Sequence, residues 1–508
     1  MSQRFGNTQV KRGLSAFFAG KVISGLAGLW AMVLVVRGLS VSEFAAYSVL
    51  FALVEVFTAI SGLGLAHVIL RYVPELYATH RPAAMRSLLG FAIGIRTSVL
   101  VACLVLAYAL SDSLAPLVKL DQMLPAFKMF LLVVAFRSIL HFLSQVLEST
   151  LHQTISQLAF ATSAIGRCAG MLWLMQNGPI RLIDVIVLEA LCDGLACLIL
   201  LIGVMTVVRR AARDDQRTTD DLAWWPAHHN VIVRFAGAAY LQHLATLPFG
   251  SNTNRLVGGA MFGDKVMATF GFAQSLYEYC KRYLPTQLLI GLLRPIVVSR
   301  FVVSRNFSEA AQLCDQALHV NVVFLFGATA LLCVSGPDLL IAMSAGKYGE
   351  EAAWLLIALL LLLCLESQRL VLEVLAQTVE QYAMMIPSNL LLSSSVLLGI
   401  AAYPLMGSIA FPIANACAVV WANVWVISRL RRAGHSYHHD WSGTAIAVVL
   451  ASAAACVGIV ATLLDAGWIL AGCATVATYA ILCAQFLLGR SKAFVQALVG
   501  KAERASPI

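Results

Sequence analysis

Several ionisable side chains lie inside long apolar stretches of this sequence, where a charge is costly. A charged residue at the middle of a bilayer costs roughly 2.5–3.5 kcal/mol, so it needs a charged partner or a water-filled cavity. The basic residues could bind an anion, and the acidic residues could bind a cation or a proton. The basic candidates are Lys21, Arg137, Arg167, Arg255, Lys281 and Arg282. The acidic candidates are Glu55, Glu189, Asp193 and Glu278.

Lys21, Arg96 and Arg255 lie toward the ends of their apolar stretches. Long basic side chains in such positions can extend to the membrane surface and keep their charge in water. The other interpretation of Lys21 and Arg255 is that they face a polar cavity, where their charged groups would bind a phosphate. For Arg96 the shallow position favours the membrane surface.

Arg137 and Arg167 each lie about ten residues from either end of an apolar stretch, which is beyond easy reach of the surface. They could therefore be cavity cations. The alternative is a salt bridge between helices, with Glu55 or Glu189 as the partner. A buried ion pair needs a close neighbour in space, and the sequence alone does not choose between these two interpretations.

Glu278, Lys281 and Arg282 are spaced i, i+3 and i+4, so they share one face of a helix. Two cations with one acid could bind a phosphate group if that face meets a cavity, whereas the alternative is a solvated face. Glu189 and Asp193 are spaced i, i+4 on another helix. Two like charges one turn apart could share a proton, which would suit a proton site.

Three further charges, Glu366, Arg369 and Glu373, also share one helix face, with spacings of i, i+3 and i+7. Two acids flank one base in this set, so the residues can largely neutralise one another. We therefore expect them to stabilise helix packing rather than to bind a ligand.

The composition shows that most of the chain must lie in a membrane. Of its 508 residues, 60% are hydrophobic and 12% are charged, and the mean hydropathy is +0.83. One soluble core cannot bury that much apolar surface. The apolar runs recur along the chain at about 20 residues each, the length of a bilayer-spanning helix. We therefore predict an all-α polytopic membrane protein.

Hydropathy predicts about 14 transmembrane helices. The predicted spans are 14–36, 44–66, 88–110, 126–148, 158–176, 183–205, 234–258, 264–288, 317–335, 354–378, 386–403, 405–428, 443–464 and 468–489. The first is too long for a signal-peptide core, so we expect it to be an uncleaved span. Arginine and lysine concentrate in alternate loops, which places both termini in the cytoplasm. The net charge of +9 mostly reflects these loops.

A polar segment in mid-chain divides the predicted helices into two sets. It contains Asp214-Asp215 and Trp224-Trp225, and we expect these tryptophans at the membrane interface. Small-residue turns that end in an acid follow both the first and the seventh span, as in transporters built from repeats. The predicted parts are a lobe of six helices at 1–207, a linker at 208–233, a second six-helix lobe at 234–430, and an appended helix pair with a tail at 431–508.

Known catalytic and cofactor-binding motifs are missing from the sequence. It has no phosphate-binding GxxxxGK[ST] loop, which argues against a built-in ATPase, and no HExxH motif. The twelve cysteines are scattered singly, as small buried hydrophobic residues are. The pairs His228-His229 and His438-His439 lie in polar loops and are typical of solvated positions. We expect no enzyme activity, no metal, no cofactor and no nucleic-acid partner.

Short motifs in both halves of the chain carry a resemblance to a known family. They are Arg37-Gly38-Leu39-x-x-x-Glu43-Phe44-x-x-Tyr47, Gly62-Leu63-Gly64-Leu65, Arg71-Tyr72-Val73-Pro74-Glu75-Leu76, Asn254-Arg255-Leu256, Gly263, and Pro337-Asp338-Leu339-Leu340 with Lys347-Tyr348. On these residues the chain resembles the polysaccharide biosynthesis flippases, which are O-antigen-type oligosaccharide exporters of the multidrug/oligosaccharidyl-lipid/polysaccharide superfamily. Two positions depart from the family pattern. Ala45 replaces a usual glycine, and Asn254 replaces a frequent acid, which weakens any case for cation coupling there.

The resemblance implies a V-shaped pair of lobes around a cationic central cavity, lined by the first, second, seventh and eighth spans. It implies that undecaprenyl-diphosphate-linked oligosaccharide units cross the bacterial inner membrane by alternating access, for O-antigen, capsule or exopolysaccharide assembly. Basic residues would hold the diphosphate. The implied partners are this lipid-linked oligosaccharide and membrane lipids. A partnership with a polysaccharide polymerase and its chain-length machinery is left open.

Two other functions are alternatives at this point. A transporter of the same fold could carry another cargo, either a peptidoglycan lipid precursor or a drug exchanged for a cation. Acidic residues would dominate the cavity of a drug antiporter, whereas the embedded residues here are mostly basic. A membrane glycan polymerase or ligase usually has a large outer loop with catalytic side chains. The longest predicted outer loop, 111–125, has only about 15 residues, too few for a folded domain.

Overall fold

The structure is a computed structural model that describes residues 7–79, 81–120, 123–150, 152–213, 219–287, 297, 301, 306–379, 381 and 384–499. Helices joined by short turns make up these ranges, as the sequence predicts. They form two compact units, Met1–Gly271 and Phe272–Ile508. The finer division predicted from the sequence, into 1–207, 208–233, 234–430 and 431–508, stays a prediction.

Long helices account for most of the first unit. They are α1 (Asn7–Gly38), α2 (Val41–Gly62), α3 (Leu65–Ala78), α4 (Pro82–Ala109), α5 (Ser111–Leu114), α6 (Leu124–Ser149), α7 (Gln153–Gln176), α8 (Leu182–Arg213), α9 (Thr219–Thr246), α10 (Ser251–Met261) and the first part of α11 (Asp264–Tyr283). Helix α1 packs along α7, and α8 packs against both α6 and α7. This packing brings the middle parts of α6, α7 and α8 together.

The second unit begins within α11 and continues with the helices that follow it along the chain. They are α12 (Phe307–Ser344), α13 (Glu350–Thr378), α14 (Met385–Ser393), α15 (Ser395–Met406), α16 (Ala410–Arg432), α17 (Trp441–Leu463) and α18 (Gly467–Val499). Helix α12 packs against α13, and it also packs against the final pair α17 and α18. The pair is therefore part of this unit.

Eleven helical stretches among the described residues are long and apolar enough to span a bilayer. The longest, Met385–Arg432, contains two of the predicted spans. The chain reverses at Gly407, whose φ is 62°, so that both α14 and α15 pack against α16. The predicted spans 234–258 and 264–288 are helical but more polar, and residue 288 lies outside the described residues. The helices agree with the predicted all-α membrane fold of about 14 spans.

The predicted seventh span, 234–258, is not one continuous helix. Helix α9 ends at Thr246 and α10 begins at Ser251. Pro248 lacks an amide hydrogen and disfavours a helical conformation at the residue before it. Gly250 has a φ of 122°, which side chains rarely allow. These two residues explain the break, and both are visible in the sequence.

The predicted linker is partly helical, because α9 already begins at Thr219. The ring of Trp224 lies edge-on to Tyr72, with 6.2 Å between centroids. The ring centroid of Trp225 lies 4.9 Å from that of Phe91, with the two rings tilted by 54°. These tryptophans, predicted at the membrane interface, therefore pack against α3 and α4 of their own unit. Asp214 and Asp215 lie outside the described residues.

The loop between α1 and α2 is fixed by the motif residue Glu43. Ser40 and Glu43 form a capping box, in which Glu43 Oε2 accepts a hydrogen bond from the Ser40 amide at 3.1 Å. Glu43 Oε1 also accepts a hydrogen bond from the Leu182 amide at 3.0 Å. One carboxylate thus caps α2 and links its start to the start of α8.

The glycines of the Gly62–Leu65 motif form the junction between α2 and α3. Leu63 and Gly64 both have positive φ angles, 46° and 69°. A Cβ atom on Gly64 would lie 2.1 Å from the backbone oxygen of Ala236 in α9. The junction therefore needs glycine for its backbone conformation and for the close approach of α9.

The segment between α16 and α17 is anchored to α12 by Asp315. This carboxylate accepts hydrogen bonds from Tyr437 Oη at 2.8 Å and from the Asp440 amide at 3.1 Å. His439 Nδ1 lies 2.7 Å from the same carboxylate. Burial beside Asp315 raises the pKa of Tyr437, so its hydroxyl stays protonated and donates. His439, predicted in a solvated loop, is thus packed against the protein.

Candidate functional site

Four candidate residues meet in the first unit. Arg137 of α6 and Arg167 of α7 face Glu189 and Asp193, which lie one turn apart on α8. One terminal nitrogen of Arg137 is 2.7 Å from Glu189 Oε2 and 2.7 Å from Asp193 Oδ2. Arg167 Nε is 2.9 Å from Glu189 Oε2, and a terminal nitrogen of Arg167 pairs with Asp193 Oδ1. The structure therefore shows the interhelical salt bridge, with Glu189 as a partner and Asp193 as a second one.

Helix α2 joins this four-charge cluster through two motif-region side chains. Tyr47 donates a hydrogen bond to Glu189 Oε1 at 3.1 Å. The ring centroid of Phe51 lies 4.6 Å from the guanidinium carbon of Arg137. Glu189 and Asp193 are only 4% and 1% exposed. The cluster is thus buried and connects α2, α6, α7 and α8.

The charges within the four-charge cluster balance. Two guanidinium groups face two carboxylates, so the cluster has no formal excess of either sign. Removing one member would leave an unbalanced buried charge, which is far more costly than the intact set. The arrangement is thus suited to holding four helices together. Roles of its arginines in anion binding, and of its acids as a proton site, stay predictions.

In the second unit, Lys281 of α11 forms an ion pair with Glu366 of α13. Lys281 Nζ lies 2.8 Å from Glu366 Oε2, and Tyr277 donates to the same oxygen at 2.7 Å. Glu278 is half-buried, and Arg282 is exposed. Lys281 thus meets Glu366 and also interacts electrostatically with Glu278, whereas Arg282 faces solvent. About a third of the Lys281 side chain, 35%, stays exposed.

Arg369, which we expected Glu366 and Glu373 to neutralise, is held mainly by α14. It donates hydrogen bonds to Asn389 Oδ1 at 2.7 Å and to Ser388 Oγ. Glu373, one turn away on the same helix, adds an electrostatic attraction. Arg369 is 8% exposed, so this guanidinium is buried among largely uncharged groups.

Arg96 is a buried cation that sequence reasoning placed at the membrane surface. It is 4% exposed and donates to the backbone oxygen of Ser138 at 3.3 Å and to its Oγ at 3.2 Å. Its guanidinium carbon lies 4.7 Å from the Phe142 ring centroid. No carboxylate pairs with it in the described part of the chain. Helix α4 begins at Pro82, before the predicted start at residue 88, so Arg96 lies near the middle of that helix.

We predict that Arg96→Met leaves the apparent Tm of the purified protein unchanged or slightly higher. Methionine fills similar space without a charge, and an unbalanced buried cation contributes little net stability. The control Arg137→Met should lower stability by about 3–5 kcal/mol, because it breaks a buried ion pair. A similar loss of stability for both variants in thermal unfolding would mean that Arg96 contributes as much to stability as a buried ion pair does.

Three further candidates lie on α1, α2 and α10. Lys21 is half-buried and interacts electrostatically with Glu148 of α6. Glu55 is exposed on α2. Arg255 is 7% exposed and follows the fully buried Asn254. Its role as a cavity cation stays a prediction.

Metal-binding groups are not found in the described ranges, where no set of three His, Cys, Asp or Glu side chains could hold an ion. His228 Nδ1 lies 2.8 Å from the backbone oxygen of Trp224, a local helix contact. The cysteines are free thiols, and Cys314 is fully buried. These side chains give no reason to place a metal centre.

The arrangement of helices matches solved structures of known proteins over most of the chain. A lipid II flippase, MurJ in an inward closed conformation, matches with a TM-score of 0.65 and 14% identity, covering 92% of this chain and 98% of that one. An inward-facing multidrug resistance MATE family transporter of the MOP superfamily matches with a TM-score of 0.62 and 14% identity, covering 81% and 95%. The MATE multidrug transporter DinF-BH in complex with R6G matches with a TM-score of 0.57 and 14% identity, covering 86% and 97%. No protein-family profile and no curated protein matches the sequence.

At this level of identity the likeness shows the fold alone. The predicted membrane fold is confirmed, and it is the fold of this flippase and of these multidrug transporters. No sequence match supports the narrower O-antigen-type family. The flippase match leaves only 8% of this chain uncovered, whereas α17 and α18 contribute 23 and 33 of its 508 residues. That match therefore extends into the final helix pair.

Proposed function

We propose that this protein is a transporter that moves a lipid-linked glycan precursor across the cytoplasmic membrane by alternating access. One observation carries this proposal: the likeness to a lipid II flippase extends into the final helix pair α17–α18. The match to the multidrug transporter covers 81% of the chain, a smaller share than the 92% of the flippase match. We infer the class of cargo from the flippase because the match to it extends over more of this chain.

The embedded cations support an anionic cargo. A diphosphate with a polar glycan cannot cross about 30 Å of hydrocarbon unaided, because both groups lose their hydration. Arg255 and Lys281 lie on the successive helices α10 and α11, and Lys281 is partly exposed. Lys21 on α1 and the exposed Arg282 add positive charge. We assign Lys281 and Arg282, which lie on α11 in the second unit, to the diphosphate. Lys281 would exchange its partner Glu366 for a phosphate oxygen, whereas Arg137 and Arg167 are each held by two buried carboxylates.

The cargo we favour is an undecaprenyl-diphosphate-linked oligosaccharide, for O-antigen, capsule or exopolysaccharide assembly in the bacterial inner membrane. The motif resemblance in both halves of the chain supports this choice. With both termini in the cytoplasm, the basic loops would lie on the side where such precursors are made. A polymerase and its chain-length machinery would then use the product on the other side.

A peptidoglycan lipid precursor is the second candidate cargo, since the flippase neighbour acts on lipid II. A drug–cation antiporter fits less well, because arginines pair with the buried acids Glu189 and Asp193. A polymerase or ligase also fits less well. Between α4 and α6 the described chain has only the short helix Ser111–Leu114 and the turn Pro116–Val118, not a catalytic domain.

Leaflet-resolved labelling of lipid-linked oligosaccharide in spheroplasts tests the proposal. Without this protein, the unpolymerised lipid-linked unit should accumulate on the cytoplasmic side. If the unit still reaches the outer face, the protein does not translocate it. Rescue of cells depleted of their lipid II flippase would instead assign the second candidate cargo.

We predict that Lys281→Met reduces this translocation about 10- to 100-fold, whereas Lys281→Arg retains most of it. Losing a charge-assisted hydrogen bond to phosphate removes about 1.5–3 kcal/mol of binding. Because Glu366 would lose its ion-pair partner, size-exclusion profiles must show that both variants are folded. Equal transport by folded Lys281→Met and wild-type protein would remove Lys281 from the cargo site.

A further inference from the structure

A basic groove lies on the second unit where the carboxyl end of α16 meets the start of α14. Its volume is about 440 Å³. Residues from the α13–α14 turn, from α14 and from α16 line it. They are Gln381, Met384, Pro387, Trp425, Arg429, Arg432 and Ala433. The groove thus combines two guanidinium groups with apolar walls, and neither the four-charge cluster nor the Lys281 pair contributes to it.

The polar groups of this groove are poised for an anion. Arg429 stacks on Trp425, with its guanidinium carbon 4.6 Å from the ring centroid. Neither Arg429 nor Arg432 pairs with a carboxylate in the ranges that the structure describes. The indole Nε1 of Trp425 is buried and has no hydrogen-bond partner there. A buried N–H donor without a partner costs about 1–3 kcal/mol, so a bound acceptor at this position would be stabilising.

The surface that borders the groove is apolar on both helices. On α14, Ile386 and Leu390 are 56% and 59% exposed. On α16, Trp421 and Val424 are 58% and 60% exposed. In a membrane such side chains contact acyl chains, so the groove has the two parts of a lipid site. Its basic end would take a head group, and its apolar border would take the chains.

We propose that this groove binds the phosphate head group of an anionic phospholipid. The arginine-rich end of α16 lies on the predicted cytoplasmic side, where basic pockets between helices bind anionic lipid heads. A simpler role for Arg429, Arg431 and Arg432 is to complement the helix dipole at the end of α16. That role does not explain the groove itself or the unpartnered indole N–H of Trp425.

The test uses the purified full-length protein in a neutral detergent, with lipid binding followed by native mass spectrometry. The wild type should retain phosphatidylglycerol in preference to phosphatidylcholine. Arg429→Gln and Arg432→Gln should each weaken phosphatidylglycerol binding about fivefold. Trp425→Phe keeps the aromatic ring and removes the N–H, so it should also weaken binding. Arg431→Gln is the matched control, because it removes the same charge from the same helix end without lining the groove.

Three results would overturn the proposal. Equal weakening by Arg431→Gln and Arg432→Gln would mean diffuse attraction to a basic surface. Equal retention of both phospholipids would mean that no anion is recognised. Displacement of phosphatidylglycerol by inorganic diphosphate at equal concentration would assign the groove to soluble phosphates. Because this binding does not depend on the cargo, failure of the transport proposal would leave it intact.

Discussion

Replacing Glu189 with glutamine should destabilise the protein by about 3–5 kcal/mol, the cost of leaving a buried charge without its partner. The substitution leaves Arg137 and Arg167 facing the single carboxylate of Asp193. It also weakens the hydrogen bond from Tyr47. In thermal unfolding of the purified protein, we expect the apparent Tm to fall by about 3–5 °C.

The matched control is Glu75→Gln, since Glu75 forms an exposed ion pair with Arg71 at 3.1 Å. Their side chains are 48% and 63% exposed, so solvent screens the pair and the change should cost less than about 1 kcal/mol. The double variant Arg167→Gln/Glu189→Gln restores the charge balance. It should lose less stability than the two single variants together. A Tm for Glu189→Gln equal to that for Glu75→Gln would contradict a buried four-charge cluster.

Gly64→Ala should produce the second large effect, a destabilisation of at least about 2 kcal/mol. An alanine at a φ of 69° adopts a left-handed conformation that costs roughly 1–2 kcal/mol. Its Cβ would also meet the backbone oxygen of Ala236 at 2.1 Å, and a backbone atom cannot rotate away. Helix α9 must therefore move away from the α2–α3 junction, which should appear as a lower Tm and faster proteolysis of α9.

Gly90→Ala is the control for this substitution. Gly90 lies inside α4 and no other atom lies within 4 Å of an added Cβ. Alanine favours a helix by roughly 0.5–1 kcal/mol over glycine, so this variant should be as stable as the wild type or more stable. If Gly64→Ala behaves like Gly90→Ala, then α9 does not contact the junction as described.

The fold could be predicted from the sequence because a bilayer imposes one length on every span. Apolar runs of about 20 residues therefore located most helices, including both halves of Met385–Arg432. Hydropathy did not predict where local backbone conformation interrupts a helix. It joined α9 and α10 across Pro248 and Gly250, where the helix is interrupted.

The partners of the embedded charges were harder to predict, because they lie on different helices. Glu189 was among the partners considered for Arg137 and Arg167, but the double role of Asp193 depends on the packing of α6 and α7 against α8. Arg369 had charged neighbours on its own helix, yet its closest partners come from α14. The spacing of residues along one helix shows which of them share a face, but it does not show which residues of other helices contact that face.

The motifs that carried the family resemblance have structural roles in the first unit. Glu43 caps α2 and reaches α8, Tyr47 donates to Glu189, and Gly64 lets α9 approach. These residues position helices. Their presence therefore supports the shared fold more strongly than it supports a particular glycan.

The most direct test of the transport proposal is translocation in vesicles that contain only the purified protein and its lipid cargo. A lipid-diphosphate-linked oligosaccharide with a fluorescent glycan is placed on one leaflet, and a membrane-impermeant quencher reports its arrival on the other. We expect wild-type and Lys281→Arg vesicles to move the lipid faster than protein-free vesicles, and folded Lys281→Met to move it at least about tenfold more slowly than wild type. Movement of the lipid at the protein-free rate, in vesicles that still transport a cationic drug, would contradict translocation of a lipid-linked glycan by this protein.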